Sequence, residues 1–271
     1  MSQNILSGRT CLVTGASSGI GRASALALGA AGARVAVNHF NDRDAAEEVV
    51  ASIRSGGGEA FAHEADVGDE EQVKGMFAKM VDKFGRLDAL INNAGIQKDA
   101  DLIDMTFEDW EAVIRTNLQG GFLCAREAAR HFCERARSEN SGQDRSPKGN
   151  MIFVGSVHGV IPWAGHVNYA ASKGGLSMLM KSIAQELGPE RVRVNEIAPG
   201  AIQTDINRDV WEDDQERQKL LKKIPYGRLG TPDDVARAIV WLVSDESDYV
   251  HGHTLCIGGG MMLYPGFREA G

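Results

Sequence analysis

Seven short runs of β-branched and apolar residues alternate with longer stretches of helical period, and no other feature constrains this chain's fold as tightly. The runs are TCLVT (10–14), RVAVN (34–38), AFAHE (60–64), LDALIN (87–92), NMIFVG (150–155), VRVNEIA (192–198) and HTLCIG (253–258). Helical patterns begin near residues 19 and 43, span 70–84 and 107–136, run through Tyr169, and return at 232–243. Strands joined through helices lie parallel, and strands covered on both faces read as continuous apolar runs. The expected fold is therefore α/β: a doubly wound, seven-stranded parallel sheet with helices on both faces. No composition shift or internal repeat divides the chain, so residues 1–271 read as a single domain.

The net charge of −8 argues against a nucleic-acid partner, whose phosphates need clustered Lys and Arg. No run of 18 apolar residues suggests a membrane span, and MSQNILSGRT lacks the basic and apolar regions of a secretory signal. The expected location is cytoplasmic. Cys11, Cys124, Cys133 and Cys256 form no CxxC pair, and the histidines show no metal-binding spacing, so four reduced thiols and no metal are expected. Cys11 and Cys256 fall in strand runs, where a thiol serves as a small hydrophobe. Two segments stand apart. The turn-rich SENSGQDRSPKGN (138–150) reads as a mobile loop, and the charged, helical segment 203–223 lies where a lid would lie.

VTGASSGIGRA (13–23) leaves the first strand and opens the first helix. Gly15, Gly19 and Gly21 let backbone approach a pyrophosphate, while Ser17, Ser18 and Ile20 stand at a helix N-terminus with free N–H groups. A plain strand-to-helix turn would need only one glycine. Ligands in such sheets bind beyond the carboxyl ends of the strands. Asn38 and His39 stand at that end of the second strand, and Asp66 and Val67 follow the third, where adenine would lie. Asn93, Ala94 and Gly95 follow the fourth strand, and Asn117 sits on the next helix. Ser156 follows the fifth strand. Pro199, Gly200, Ile202 and Thr204 follow the sixth. Each alone could be a turn or a cap, but all fall at one end of one sheet.

NYAASKGG (168–175) places Tyr169 and Lys173 four residues apart. On a helix such side chains share a face, with Cβ atoms about 5–6 Å apart. An ordinary surface helix can carry the same pair. The combination of TGASSGIG, NNAG, Asn117, Ser156, YAASK and PG, between residues 8 and 258, resembles the short-chain dehydrogenase/reductase family. SVHGVIPW (156–163), APGAIQTDIN (198–207) and GGMMLYPGF (259–267) are similar, within it, to bacterial glucose 1-dehydrogenases. Gln97 departs from the Glu those enzymes carry, and the 138–150 loop is longer.

The resemblance implies a Rossmann-type fold and an NAD(P)-dependent enzyme with Tyr169, Lys173, Ser156 and Asn117 as its catalytic group. Tyr169 would be the general base for alcohol oxidation, its pKa lowered from about 10 by the Lys173 ammonium and the nicotinamide charge. Lys173 would also hold the ribose. Ser156 would steady the substrate oxygen, and Asn117 would hold a water leading to Lys173. Thr204 and the Pro199–Gly200 turn would position the carboxamide. No acid precedes Asp42 after the second strand, and Arg43 is the only nearby guanidinium, so use of both NAD and NADP is expected. The substrate would be a sugar, foremost β-D-glucose oxidised to D-glucono-1,5-lactone. Gln97, His158 and Asn168 would bind its hydroxyls, and Trp163 would offer its flat face. Gly174 and Gly175 suggest a close subunit contact, and the apolar tail 259–271 suggests packing against a neighbour in a homotetramer. Reduction of a 3-oxoacyl or other keto substrate shares these motifs. An inactive cofactor-sensing or scaffold protein would not require Ser156, Tyr169 and Lys173 together.

Overall fold

The computed structural model describes residues 4–138, 147–204 and 207–263. Its strands are β1 (Thr10–Val13), β2 (Arg34–His39), β3 (Ala60–Glu64), β4 (Ala89–Asn92), β5 (Gly149–Val154), β6 (Val192–Pro199) and β7 (Thr254–Ile257). They form one sheet, parallel as the alternation requires, in the order β3-β2-β1-β4-β5-β6-β7. The order reverses between β1 and β4, and the crevice at such a switch point opens at the strands' carboxyl ends.

Successive strand residues face opposite sides of the sheet. Val35 and Val37 join α1 (Gly19–Ala30), α2 (Arg43–Ser55) and α9 (Pro232–Val243) in one apolar core. Leu12, Leu90, Met151 and Phe153 join α3 (Glu70–Phe84), α5 (Gly120–Ser138) and α6 (Val167–Leu187) in the other. The helix starts follow local chemistry. Asp69 caps α3 by accepting from the Gln72 N–H, and Thr231 and Asp234 form a reciprocal cap on α9, with Pro232 in its first turn.

The helix expected over 107–136 is divided. It comprises α4 (Phe107–Val113), a π turn (Ile114–Gln119) and α5. A wide turn of this kind turns residues off the regular 3.6-residue face, so the apolar periodicity did not reveal it. Most of the charged 203–223 segment is helical, in α7 (Arg208–Glu212) and α8 (Asp214–Leu221). Much of the 138–150 loop, and the tail beyond Leu263, lie outside the described residues. Cys256 differs from the expectation of a packed thiol. It lies exposed on the edge strand β7, whereas Cys11 and Cys124 are buried. No helix among the described residues is long and apolar enough to cross a membrane.

Candidate active site

A cavity of about 1240 Å³ opens at the carboxyl ends of the strands. The turn after β1 forms its floor. Gly15 and Gly19 have φ values of +60° and +51°, a region costly for residues with a Cβ. A Cβ on Gly21 would come within 2.1 Å of the Gly15 carbonyl oxygen. Ser18 caps α1 without a side-chain hydrogen bond, and no acid occupies the first turn. Uncapped N–H groups, an unopposed helix dipole and a close-fitting glycine cradle suit a pyrophosphate.

Amide side chains fix this floor. Asn93 Nδ2 donates to the Thr14 and Gly15 carbonyls at 2.9 and 3.0 Å, tying β4 to β1. Thr14 Oγ1 accepts from the N–H groups of Asn93 and Ala94, a role the sequence analysis missed. Asn38 Oδ1 accepts from the Gly15 N–H at 3.1 Å, while its Nδ2 donates to the Ala65 carbonyl at 3.0 Å. Asn38 and Phe40 line the cavity, but His39 does not. His39 is buried on the opposite side of the alternating strand, so its expected cofactor contact is not met.

Asp42 also lines the wall near Phe40, whereas Arg43 does not. Asp66 and Val67 line the same region. The Asp66 carboxylate accepts from the Gly68 N–H and pairs at 2.7 Å with Arg115, another lining residue absent from the sequence reading. The cavity thus joins the Asp42 and Asp66 end, the glycine cradle and the Tyr169 region. Its residues fit a nicotinamide dinucleotide.

Ser156, Tyr169 and Lys173 meet at the far side of the cradle. Ser156 Oγ accepts from the His158 N–H at 3.1 Å and is hydrogen-bonded to the Tyr169 phenol. Lys173 Nζ donates to the Val154 carbonyl at 2.9 Å and lies 5.6 Å from the Tyr169 ring centre. Burial raises the Tyr169 pKa above its ordinary value, against the lowering influence of Ser156 and with a smaller raising influence from Asp99. Lys173 alone therefore does not hold the phenol below its ordinary value; the expected lowering joined its charge to that of the nicotinamide. Burial likewise pulls Lys173 down to about 8, with Glu196 opposing it.

Asn117 stands behind this group, on the π turn. Its Oδ1 accepts from the Ile96 N–H, and its two Nδ2 hydrogens go to the Ile96 carbonyl and Ser172 Oγ. An amide so engaged fixes the Gly95–Ile96 backbone beside Lys173. It leaves no amide hydrogen for the water expected there.

Beyond Tyr169, Gln97, His158 and Trp163 line the cavity, together with Asp99 and His166. Gln97 Nε2 donates to Asp99 Oδ2 at 2.9 Å, and His166 Nε2 approaches that same oxygen at 3.1 Å. The Trp163 ring stacks on His158 with centroids 4.2 Å apart and on His166 with centroids 3.5 Å apart. Two imidazoles that close to one indole would overlap on a single face, so one covers each face. Trp163 therefore offers an edge, not the flat platform expected. Asn168 is fully buried outside the cavity wall, donating to the Lys98 carbonyl, and so makes no part of the substrate surface.

Pro199, the last residue of β6, and Gly200, Ile202 and Thr204 after it line the cavity. The Thr204 N–H and hydroxyl both donate to Asn207 Oδ1 at 3.1 Å, which braces that turn. Gly174 and Gly175 face neighbours within the chain. Cβ atoms there would meet the Gly159 carbonyl at 3.4 Å and Leu118 at 3.1 Å. The first is an ordinary contact and the second a tight one, so Gly175 has a reason within the chain to stay small. Met261, Met262 and Leu263, at the start of the tail, line this chain's own cavity.

A family model described as "Enoyl-(Acyl carrier protein) reductase" matches residues 15–262. The chain is 42% identical over 263 residues to 3beta-hydroxysteroid dehydrogenase 1 of Eggerthella lenta, covering 97% of each protein. It is 41% identical over 265 residues to Glucose 1-dehydrogenase 2 of Bacillus subtilis, covering 97% of this chain and 98% of that one. A solved structure of a 7 alpha-hydroxysteroid dehydrogenase, complexed with NADH and 7-oxo glycochenodeoxycholic acid, matches with a TM-score of 0.86 at 32% identity, over 95% of this chain and 96% of that chain. With the parallel sheet, the glycine cradle and this end-to-end similarity together, the chain belongs to the short-chain dehydrogenase/reductase family and is an NAD(P)-dependent oxidoreductase.

Proposed function

We propose that the enzyme oxidises a hydroxyl carried on a ring, with a sugar as substrate and β-D-glucose, converted to D-glucono-1,5-lactone, as the foremost one. The observation carrying this reading is the polar wall of Gln97, Asp99 and His158 beside Ser156 and Tyr169. Hydroxyl-binding groups discriminate strongly against substrates that leave them unpaired. The similarity to a glucose 1-dehydrogenase supports the same class.

In this reading Ser156 donates to the substrate oxygen and Tyr169, as phenolate, removes its proton. The C1 hydrogen then departs with its electron pair, leaving the lactone carbonyl. The bound nicotinamide supplies the hydride acceptor and, before transfer, a positive charge that favours the phenolate. Lys173 steadies the ribose and adds its own positive charge. Asn117 positions the Gly95–Ile96 backbone. Asp66 and Val67 flank the adenine, and the 199–204 turn holds the carboxamide. Both NAD and NADP serve, with Asp42 disfavouring a 2′-phosphate without excluding it.

A second reading is oxidation of a steroid ring hydroxyl. The apolar side chains of Ile161, Leu220, Met262 and Leu263 on the cavity wall favour it. Initial rates with both cofactors, across aldoses, hydroxysteroids and acetoacetyl thioesters, decide between them. Glucose or a close aldose is expected to give the highest kcat/KM. A faster steroid selects the second reading, and a faster thioester selects keto reduction. The same proposal includes a homotetramer, supported by exposed Phe122 on α5 and Met178 on α6. An active monomer in light scattering would exclude that assembly.

A further inference from the structure

Glu196 lies on β6 with no solvent exposure. Its Oε1 stands 1.9 Å from where a Cβ on Gly155 would be, so the carboxylate fills the space that this glycine leaves beside the active site. Oε1 meets the Ser177 hydroxyl at 2.6 Å and Oε2 meets the Thr254 hydroxyl at 2.7 Å. Ser177 has one hydrogen and a second acceptor, the Lys173 carbonyl at 3.1 Å, and the shorter contact takes the hydrogen. Two accepting oxygens are the pattern of an ionised carboxylate. Among the described residues, no Lys, Arg or His forms a direct ion pair with it. A buried charge held only by two hydroxyls is costly unless another charge balances it.

The balancing charge lies across Gly155. Lys173 precedes Ser177 by one turn of α6, is itself buried, and donates to the carbonyl of Val154, the residue before Gly155. We propose that Glu196 is a positioning residue for the catalytic site: it is the fixed counter-charge that holds the Lys173 ammonium against the end of β5. This rests on the catalytic role proposed above for Lys173.

The surroundings leave few competing charges. Tyr169 faces Lys173 from α6, and the amide of Asn117 approaches from the π turn. His158, on the turn after β5, directs its ring to the Ile161 carbonyl and Trp163. From β7, Thr254 faces Glu196, and the preceding His253 gives its carbonyl to the Glu196 N–H while its side chain lies exposed. Burial draws Lys173 down to about 8, and Glu196 is the charge that opposes this.

The test is a carbon-13 NMR titration of the lysine Cε signals in the cofactor-free chain and in Glu196→Gln, with Lys173 assigned from its loss in Lys173→Arg. The Lys173 midpoint should fall by one unit or more in Glu196→Gln, a tenfold loss of proton affinity. Without the carboxylate the ammonium deprotonates more readily, so the alkaline limb of kcat/KM for the fastest alcohol should move to lower pH. An unmoved Lys173 midpoint overturns the proposal. A moved midpoint with an unmoved limb overturns the catalytic role. If Glu196→Gln does not fold, Lys173→Met with labelled glutamate Cδ gives the reciprocal measurement. The Glu196 midpoint should then rise, and one that stays fixed overturns the coupling. Both titrations are read without substrate, so a chain that ignores glucose still tests the charge pair.

Discussion

The two ends of the central strands use polar groups in opposite ways. At the amino end of β4, Asp88 is buried and closely surrounded: it accepts from the Thr10 N–H at 2.9 Å, from Arg86 Nε at 3.0 Å and from Arg135 Nη1 at 3.0 Å. At the carboxyl ends, Lys173 and Glu196 are buried without meeting directly, and the α1 N-terminus has no side-chain cap. Hydrogen-bonding capacity is consumed internally at the first end and remains available at the second. A sheet can thus be sealed on one side and receptive on the other, although the same strands build both.

The largest effect should come from breaking the receptive end by one atom. Tyr169→Phe is expected to lower turnover by ~10²–10⁴, the range general acid–base catalysis supplies. Thermal stability and cofactor affinity should barely change. Near-normal steady-state rates would remove Tyr169 from the mechanism.

The opposite experiment breaks the sealed end. Asp88→Asn should cost about 2 kcal/mol of stability by weakening the charge-assisted bonds from the exposed Arg86 and the partly buried Arg135, while activity per folded molecule is retained. Burial would raise the Asp88 pKa, but the Arg86 and Thr10 hydrogen bonds, with the charges of Arg86 and Arg135, hold it below the usual carboxylate range. Its contribution is complete above the ordinary carboxylate pKa and is lost as pH falls through the lowered value. Denaturant titrations of both proteins at neutral and acid pH should show the stability gap closing on acidification. A constant gap would contradict this account.

The smallest effect sharpens the comparison within the receptive end. His158→Ala should raise the glucose KM by tenfold or more, about 1.4 kcal/mol of binding, with little change in melting temperature. Unchanged glucose kinetics would show that His158 serves only its contacts with Ile161 and Trp163.

Local spacing made much of this legible. The seven apolar runs specified the sheet, the Gly15–Gly21 pattern specified the turn after β1, and the four-residue interval brought Tyr169 and Lys173 together. Features created by distant segments were not legible. Thr14 and Asn93 become meaningful only when β1 and β4 are neighbours, and Arg115 only when the π turn reaches Asp66. Trp163 looked available because its sequence neighbours do not reveal that His158 and His166 cover both faces. Likewise, spacing placed a cation near the phenol but could not weigh that influence against burial.

The π turn also makes chain length at Ile114–Gln119 part of the inherited specification. Each residue of an α-helix advances its neighbours by about 100°. Deleting one residue here would let the backbone relax into a regular helix, yet would swing Asn117 or the face of α5 out of register with Ile96 and Ser172. Descendants of this enzyme could exchange many letters in that segment and remain readable. Dropping a single letter would garble everything printed after it.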